Sequence, residues 1–125
     1  MAKKSLIAIV DDDESIRVST ANLIRAFGFA ARGFASAEEF LQSPELGETS
    51  CVISDVHMPG IGGLELQSRL ASTHGRTPVI FITAFSDPRI QERALAGGAI
   101  CFLTKPFNGE TLIQCVDRAL NRSNS

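Results

Sequence analysis

The sequence predicts an α/β fold, a doubly wound (βα)5 arrangement with one five-stranded parallel sheet and helices on both faces. Apolar segments of strand length alternate along the chain with segments of helical periodicity, five times each. The segments 51–54 and 78–83 are apolar without alternation, which is typical of parallel strands covered on both sides. The 125 residues suit one domain. We therefore expect a domain over residues 1–120, with 121–125 as a polar tail or the start of a linker.

The first two βα units are predicted from periodicity and capping. A strand at 5–10 leads into four acids at 11–14, and an apolar stripe at helical spacing follows them until Gly28 ends the helix. The stripe consists of Ile16, Thr20, Leu23, Ile24 and Phe27. A weaker strand near 30–35 precedes Ser36–Glu39, a capping box that opens the second helix.

The other three units have clearer start and stop signals. They are strands at 51–54, 78–83 and 99–103 and helices from Gly63 to about Ser72, from Asp87 to Gly97, and after Asn108. Asp87 is a favourable N-cap before Pro88, because proline is tolerated at the first helical position. Asn108 caps a last helix whose apolar stripe comprises Leu112, Ile113, Val116 and Leu120.

Composition excludes several classes of function. The net charge is −2 and no Lys/Arg-rich run occurs, so direct nucleic-acid binding by this chain is not expected. No apolar run approaches the ~20 residues that a membrane helix needs. The apolar stretch before residue 11 is also too short for the core of a signal peptide. We therefore expect a cytoplasmic chain that does not enter a membrane.

Two residue types are interpreted as structural. Cys51, Cys101 and Cys115 are odd in number, widely spaced and flanked by apolar residues. They are expected to be buried reduced thiols and not metal ligands. The dispersed arginines, Arg17 among them, are interpreted as solvated surface.

Polar residues follow four of the predicted strands. They are Asp11, Asp12, Asp55, Thr83 and Lys105. In a doubly wound sheet, ligands bind beyond the carboxyl ends of the strands, so these side chains should share one crevice. Three close carboxylates repel one another, and a hard divalent cation such as Mg²⁺ relieves the repulsion. Asp55 could then attack phosphorus, while Lys105 and Thr83 contact the phosphoryl oxygens.

Four motifs in order carry a family resemblance. IVDDDESIR, VISDVHMPGIGGLEL, VIFITAF and AICFLTKPF resemble the receiver domain of bacterial two-component response regulators, from Ser5 to about Leu120. VDDDESIR, SAEEFL and KPF favour the FixJ-like subfamily, whose receivers precede a helix-turn-helix DNA-binding domain. The resemblance implies a flavodoxin-like fold with strand order 2-1-3-4-5 and a histidine kinase as phosphoryl donor.

The resemblance also assigns roles at the predicted site. Asp55 matches the phospho-acceptor. Asp12 and Asp55 would ligate Mg²⁺ (or Mn²⁺), Asp11 would act mainly through water, and His57 would contribute only its backbone carbonyl. The Lys105–Pro106 peptide bond is expected to be cis.

Signal output is assigned by the same matches. Thr83 matches the signalling hydroxyl and Phe102 the switch aromatic. The surface of the fourth helix, fifth strand and fifth helix would change on phosphorylation and form a homodimer, with 87–96 and 108–120 as its helices. His57 and Phe85 are expected to modulate the lifetime of the phosphorylated state.

Three functions remain open from the residues themselves. The favoured one is a phosphorylation-dependent signalling switch that controls dimerisation or an output domain for transcriptional regulation, and is not an enzyme with turnover. An aspartate-nucleophile phosphatase would want a second aspartate two residues after Asp55, where His57 stands. A phosphate-independent interaction module would not need all five site residues.

Overall fold

The computed structural model describes residues 5–73, 77–85 and 87–123, with side chains up to residue 121. Strands and helices alternate throughout this part of the chain. The strands are β1 Leu6–Val10, β2 Ala30–Phe34, β3 Thr49–Asp55, β4 Val79–Thr83 and β5 Cys101–Thr104. The helices are α1 Glu14–Ala26, α2 Ala37–Leu41, α3 Gly63–Thr73, α4 Pro88–Ala96 and α5 Gly109–Ser123.

The five strands form one parallel sheet in the order β2-β1-β3-β4-β5. This confirms the predicted (βα)5 doubly wound fold and the order implied by the resemblance. Strand order reverses between β1 and β3, so a crevice opens where the two strands end. In the register, Val10 pairs with Ser54, which places Asp11 and Asp55 at neighbouring positions on this edge of the sheet.

Alternate residues of each strand enter two separate core layers. On β1, Ile7 and Ile9 join a cluster with residues of α1 and α5. Ala8 and Val10 join a second cluster with residues of α2, α3 and α4. Both layers are buried, which explains why β3 and β4 are apolar without alternation. Helices therefore lie on both faces of the sheet, as predicted.

Four helices begin at capped positions. Ser36 Oγ accepts from Glu39 N at 3.0 Å, and Asp87 Oδ1 accepts from Arg89 N at 2.9 Å. Asn108 Oδ1 accepts from Glu110 N at 2.7 Å. These three predicted caps are confirmed. Asp13, expected in the first turn of the helix, is instead the N-cap of α1.

Several boundaries differ from the predicted ones. The helix α2 has one turn and a half and is followed by a 3₁₀ turn at Leu46–Glu48. Phe27, predicted on the buried stripe, lies beyond the end of α1 and is 52% exposed. Residues 121–123, predicted as part of a polar tail, continue α5, while 124–125 lie outside the described residues.

The cysteines divide into a disulfide and one free thiol. Cys101 on β5 and Cys115 on α5 are joined by a disulfide, so the prediction of reduced thiols is wrong for this pair. Their spacing of 14 residues carries no pairing signal, and only the packing of α5 on the sheet brings them together. Cys51 is free and buried, as predicted. No helix among the described residues is long and apolar enough to cross a membrane.

Candidate functional site

The ends of β1 and β3 bring three carboxylates together. Asp11 and Asp12 follow β1, and Asp55 is the last residue of β3. One oxygen from each carboxylate lies within 4.8 Å of the others. Asp11 and Asp55 are buried, whereas Asp12 is exposed at the mouth of the cluster. The three predicted acids therefore form one site that opens to solvent on the Asp12 side.

Lys105 supplies the positive charge of the site. Its Nζ lies 3.1 Å from Asp11 Oδ2 and 3.4 Å from Asp55 Oδ2. The backbone places it there, since Lys105 N donates to Thr83 O at the end of β4 over 2.7 Å. The Lys105–Pro106 peptide bond that follows is cis, as predicted. Lys105 therefore bridges two of the three acids from the neighbouring end of β5.

Burial and ion pairing shift the pKa values of Asp11 and Lys105 in opposite directions. Burial raises the pKa of the Asp11 carboxyl, and the Asp13 N–H and Lys105 offset only part of that rise. Burial also lowers the pKa of the Lys105 ammonium, but its hydrogen bond to Asp11 and the charges of Asp11 and Asp55 together raise it above its ordinary value. The ammonium therefore stays charged, while the buried Asp11 carboxylate is destabilised.

Asp11 is held by three hydrogen bonds, two to its backbone and one to its side chain. Asp11 N donates to Phe34 O on β2 at 3.1 Å, and Asp11 Oδ1 accepts from Asp13 N at 2.9 Å. Arg17 Nη1 donates to Asp11 O at 2.9 Å. The expectation that Arg17 is solvated surface is therefore wrong, because its guanidinium reaches back along α1 to the acidic loop.

The loop after β3 positions Asp55 through close backbone contacts. Asp55 Oδ1 accepts from His57 N at 3.3 Å, and Gly63 N donates to Val56 O at 2.9 Å. A Cβ at Gly63 would lie 2.5 Å from Asp55 O, so only glycine fits there. Glu38 of α2, another residue without an evident sequence signal, accepts from Ile61 N at 3.4 Å and so ties α2 to this loop.

Thr83 ends β4 beside the acidic cluster, with its hydroxyl engaged elsewhere. Thr83 Oγ1 accepts from Phe85 N and donates to Phe85 O, each at 3.2 Å. The side chain is fully buried. The Phe85 ring is 72% exposed and meets the exposed His57 ring edge-on, with 6.3 Å between centroids. The loops that follow β3 and β4 thus meet through these two rings.

Phe102 lies apart from the acids, on β5. It is half-buried and packs against the layer of α2, α3 and α4, with its ring 6.4 Å from that of Phe81. Phe102 pairs with Phe81 in the register, and Thr83 pairs with Thr104 two positions further along both strands. The predicted switch pair therefore occupies adjacent strands.

The donor set fits a hard divalent cation. Carboxylate oxygens are the ligands that such cations prefer, and the three acids present them within a few ångströms. Among the described residues, one ammonium group, that of Lys105, faces these acids. The pairing leaves the exposed Asp12 carboxylate for a cation at the open side of the cluster.

The fold and this site together define a receiver-type α/β domain. Residues 7–117 match the family described as the response regulator receiver domain. The chain therefore belongs to the response regulator receiver domain family. Relatives named FixJ support the prediction that it is a FixJ-like receiver.

Relatives and solved structures agree with this assignment. Nodulation protein W of Bradyrhizobium diazoefficiens is 42% identical over 95% of this chain and 52% of its own length. The transcriptional regulatory protein FixJ of Azorhizobium caulinodans is 36% identical over 94% of this chain and 56% of its own length. The crystal structure of FixJ-N has a TM-score of 0.85, 32% identity and 96% coverage of both chains. The chain thus spans about half the length of these curated relatives.

Proposed function

We propose that this receiver domain is a switch that accepts a phosphoryl group on Asp55 from a histidine kinase. The observation that carries the proposal is the bridging of Asp11 and Asp55 by Lys105, beside a third carboxylate at the open side. Such an arrangement offers a nucleophile, a fixed positive charge and oxygen ligands within one crevice. Family membership supports the same function.

The transfer needs little from the protein beyond positioning and charge. An Asp55 carboxylate oxygen attacks phosphorus, and the bond from phosphorus to the histidine nitrogen of the kinase breaks with its electron pair on nitrogen. Lys105, already 3.4 Å from Asp55 Oδ2, stabilises the negative phosphoryl oxygens. The His57 N–H on Asp55 Oδ1 keeps the other carboxylate oxygen oriented.

Mg²⁺ (or Mn²⁺) is the cation proposed for the carboxylate cluster. It would neutralise charge on the phosphoryl oxygens as they transfer. Asp12 and Asp55 would hold it directly, Asp11 mainly through water, and His57 through its backbone carbonyl. Two observations support this assignment of ligands: the Asp12 carboxylate is exposed, and the Lys105 ammonium already pairs with the buried Asp11.

Output is proposed to pass through Thr83 and Phe102 to the surface of α4, β5 and α5. A phosphoryl group would draw the Thr83 hydroxyl away from Phe85, and Phe102 would turn into the space that is vacated. The surface would then favour a homodimer and control a helix-turn-helix output domain in a longer chain. The relatives' names as transcriptional regulators support this output. We place the switch in the cytoplasm, as the receiver family implies.

Asp55→Asn tests the acceptor directly. We expect the wild type to gain one phosphoryl adduct on incubation with acetyl phosphate and Mg²⁺, and the variant to gain none, because the amide cannot act as the nucleophile. Intact-mass spectrometry measures both, and circular dichroism verifies that the variant is folded. Asp12→Asn is the matched control, which should slow the reaction without moving the adduct to another residue.

Three results would contradict the proposal. An adduct on Asp55→Asn at the wild-type yield would mean that another residue is the acceptor. Rapid release of inorganic phosphate without an adduct would indicate a phosphatase, and no reaction at all would indicate a phosphate-independent interaction module.

A further inference from the structure

The Cys101–Cys115 disulfide lies on the surface formed by β5 and α5. Cys101 is the first residue of β5, an edge strand, and Cys115 lies in the second turn of α5. The bond joins their Cα atoms across 6.2 Å. Since β5 is the last strand of the sheet, this bond ties α5 directly to the sheet margin.

Both cysteines line an open groove. The groove has a volume of about 320 Å³ and is lined by the two cysteines together with Thr111, Gln114 and Arg118. Cys101 is 8% exposed and Cys115 is 3% exposed. The pair therefore belongs to the core layer between the sheet and α5, at the place where that layer borders the groove.

A cation contacts one of the sulfurs. Arg118 Nη1 lies 3.6 Å from Cys101 Sγ, and Arg118 is exposed three residues after Cys115 on the same face of α5. A guanidinium at this distance stabilises a thiolate on Cys101, and the thiolate is the reactive form of cysteine. Cys51 is the opposite case, because burial raises the pKa of its thiol to about 12 and makes it inert.

We propose that Cys101 and Cys115 form a reversible redox site whose reaction partner is a dithiol reductant. The groove, the guanidinium on Cys101 and the position at the sheet margin carry this proposal. In a compartment that keeps thiols reduced, a disulfide is characteristically transient and redox-sensing. Only the inference that the bond is transient rests on the cytoplasmic location given under the proposed function.

The reduction proceeds through a mixed disulfide between the reductant and Cys115. One thiolate of the reductant bonds to Cys115 sulfur, and the bond between the two cysteines breaks with its electron pair on Cys101, where Arg118 stabilises the thiolate. The second thiolate of the reductant then attacks the reductant's own bound sulfur and releases Cys115. Two electrons and two protons pass from the dithiol to the protein, and the reductant leaves as a disulfide.

Thiol counting on the unphosphorylated wild-type chain tests the proposal. After oxidation with glutathione disulfide, denaturation and alkylation should label Cys51 alone; after treatment of the folded chain with reduced thioredoxin, all three cysteines should be labelled. We expect reduction to lower the melting temperature by roughly 5–15 °C, because the cross-link closes a short loop. Cys115→Ala should melt like the reduced wild type under both conditions.

Arg118→Met tests the role of the guanidinium. We expect the folded variant to be reduced by thioredoxin several-fold more slowly than the wild type, because the leaving thiolate loses its stabilising charge. Arg89→Met is the matched control, since the Arg89 side chain on α4 is 91% exposed and pairs with Asp87 instead of contacting a sulfur. Its reduction rate should equal that of the wild type.

Three results would overturn the proposal. Labelling of all three cysteines after oxidation would mean that the bond does not form in solution. Labelling of Cys51 alone after thioredoxin treatment would identify a permanent structural cross-link. Equal reduction rates for Arg118→Met and the wild type would remove Arg118 from the site. None of these results depends on phosphorylation, so each leaves the proposed function of Asp55 unaffected.

Discussion

Lys105 is the residue that makes the buried acids tolerable. The Asp11 side chain is fully buried, and an unpaired charge at such a position destabilises a fold by several kcal/mol. The sequence predicted the meeting of Lys105 with Asp11 and Asp55 from strand ends alone. It could not predict Arg17 or Glu38, because their partners are a backbone carbonyl and a backbone N–H whose positions exist only in the folded loops.

Gly63→Ala is expected to distort the loop after β3, which positions Asp55. The added Cβ would lie 2.5 Å from Asp55 O and 2.9 Å from Phe81 Cε1, so backbone and ring would both have to move. We expect a loss of about 1–3 kcal/mol in the free energy of unfolding, measured by urea denaturation. Gly47→Ala is the control, because a Cβ there meets nothing within 4 Å. Equal stability of the two variants would show that the loop adapts freely.

Phe85→Ser is expected to shorten the phosphorylated state. The Phe85 ring contacts the His57 ring, and we expect the two to shield the acyl phosphate on Asp55 from water. We expect a several-fold faster loss of the phosphoryl adduct, followed by intact mass after removal of the donor. Phe27→Ser, a change of a second exposed phenylalanine at the end of α1, is the control. An unchanged decay rate would mean that water reaches Asp55 by another path.

At the scale of elements, the strands and caps were predictable and the weak elements were not. Ser36, Asp87 and Asn108 cap their helices because each cap is a local interaction within four residues. The extent of α2 was not predicted, since a helix of five residues depends on tertiary packing and not on its own propensity. The disulfide was not predicted for a similar reason, because the two sulfurs meet only where α5 packs on β5.

Thr83→Ala tests the coupling between β4 and β5. The hydroxyl is bonded to the Phe85 backbone, and its transfer to a phosphoryl group is the proposed first movement of the switch. We expect the variant to accept phosphate at Asp55 but to form markedly less dimer, as measured by sedimentation at equal phosphoryl occupancy. Ser68→Ala, which removes an exposed hydroxyl on α3 outside the surface of α4, β5 and α5, should dimerise like the wild type. Full dimerisation of Thr83→Ala would contradict the coupling.

At the scale of the whole molecule, the order of the strands brings the residues of the acidic site together. The order β2-β1-β3-β4-β5 puts the ends of β1 and β3 side by side and the end of β5 within reach of both. Alternating βα units predicted the architecture, but the residues alone did not decide the order of the strands. That order came from the family resemblance.

The metal-free chain is expected to gain stability through Asp11 as the pH falls. Because burial raises the pKa of this carboxyl, the folded state binds its proton more tightly than the unfolded chain does. The contribution is complete below the unfolded value of 3.8 and is lost as the pH rises through the folded pKa.

Asp11→Asn measures this contribution. We expect its stability relative to the wild type to decline as the pH falls from 7, in urea titrations with a chelator present. Gln91→Ala, an exposed change on α4 that alters no titratable group, serves as the control with a flat difference over the same range. A flat difference for Asp11→Asn would show that Lys105 fully compensates the buried charge.

The distance along the chain between Lys105 and the acids has a consequence for protein synthesis. Lys105 follows Asp11 by 94 residues and Asp55 by 50, and it comes directly after β5, the last strand along the described chain. A nascent chain that ends before β5 therefore lacks the ammonium that neutralises its acidic pair. The proposed phosphorylation site is therefore complete only after residue 105 has been translated.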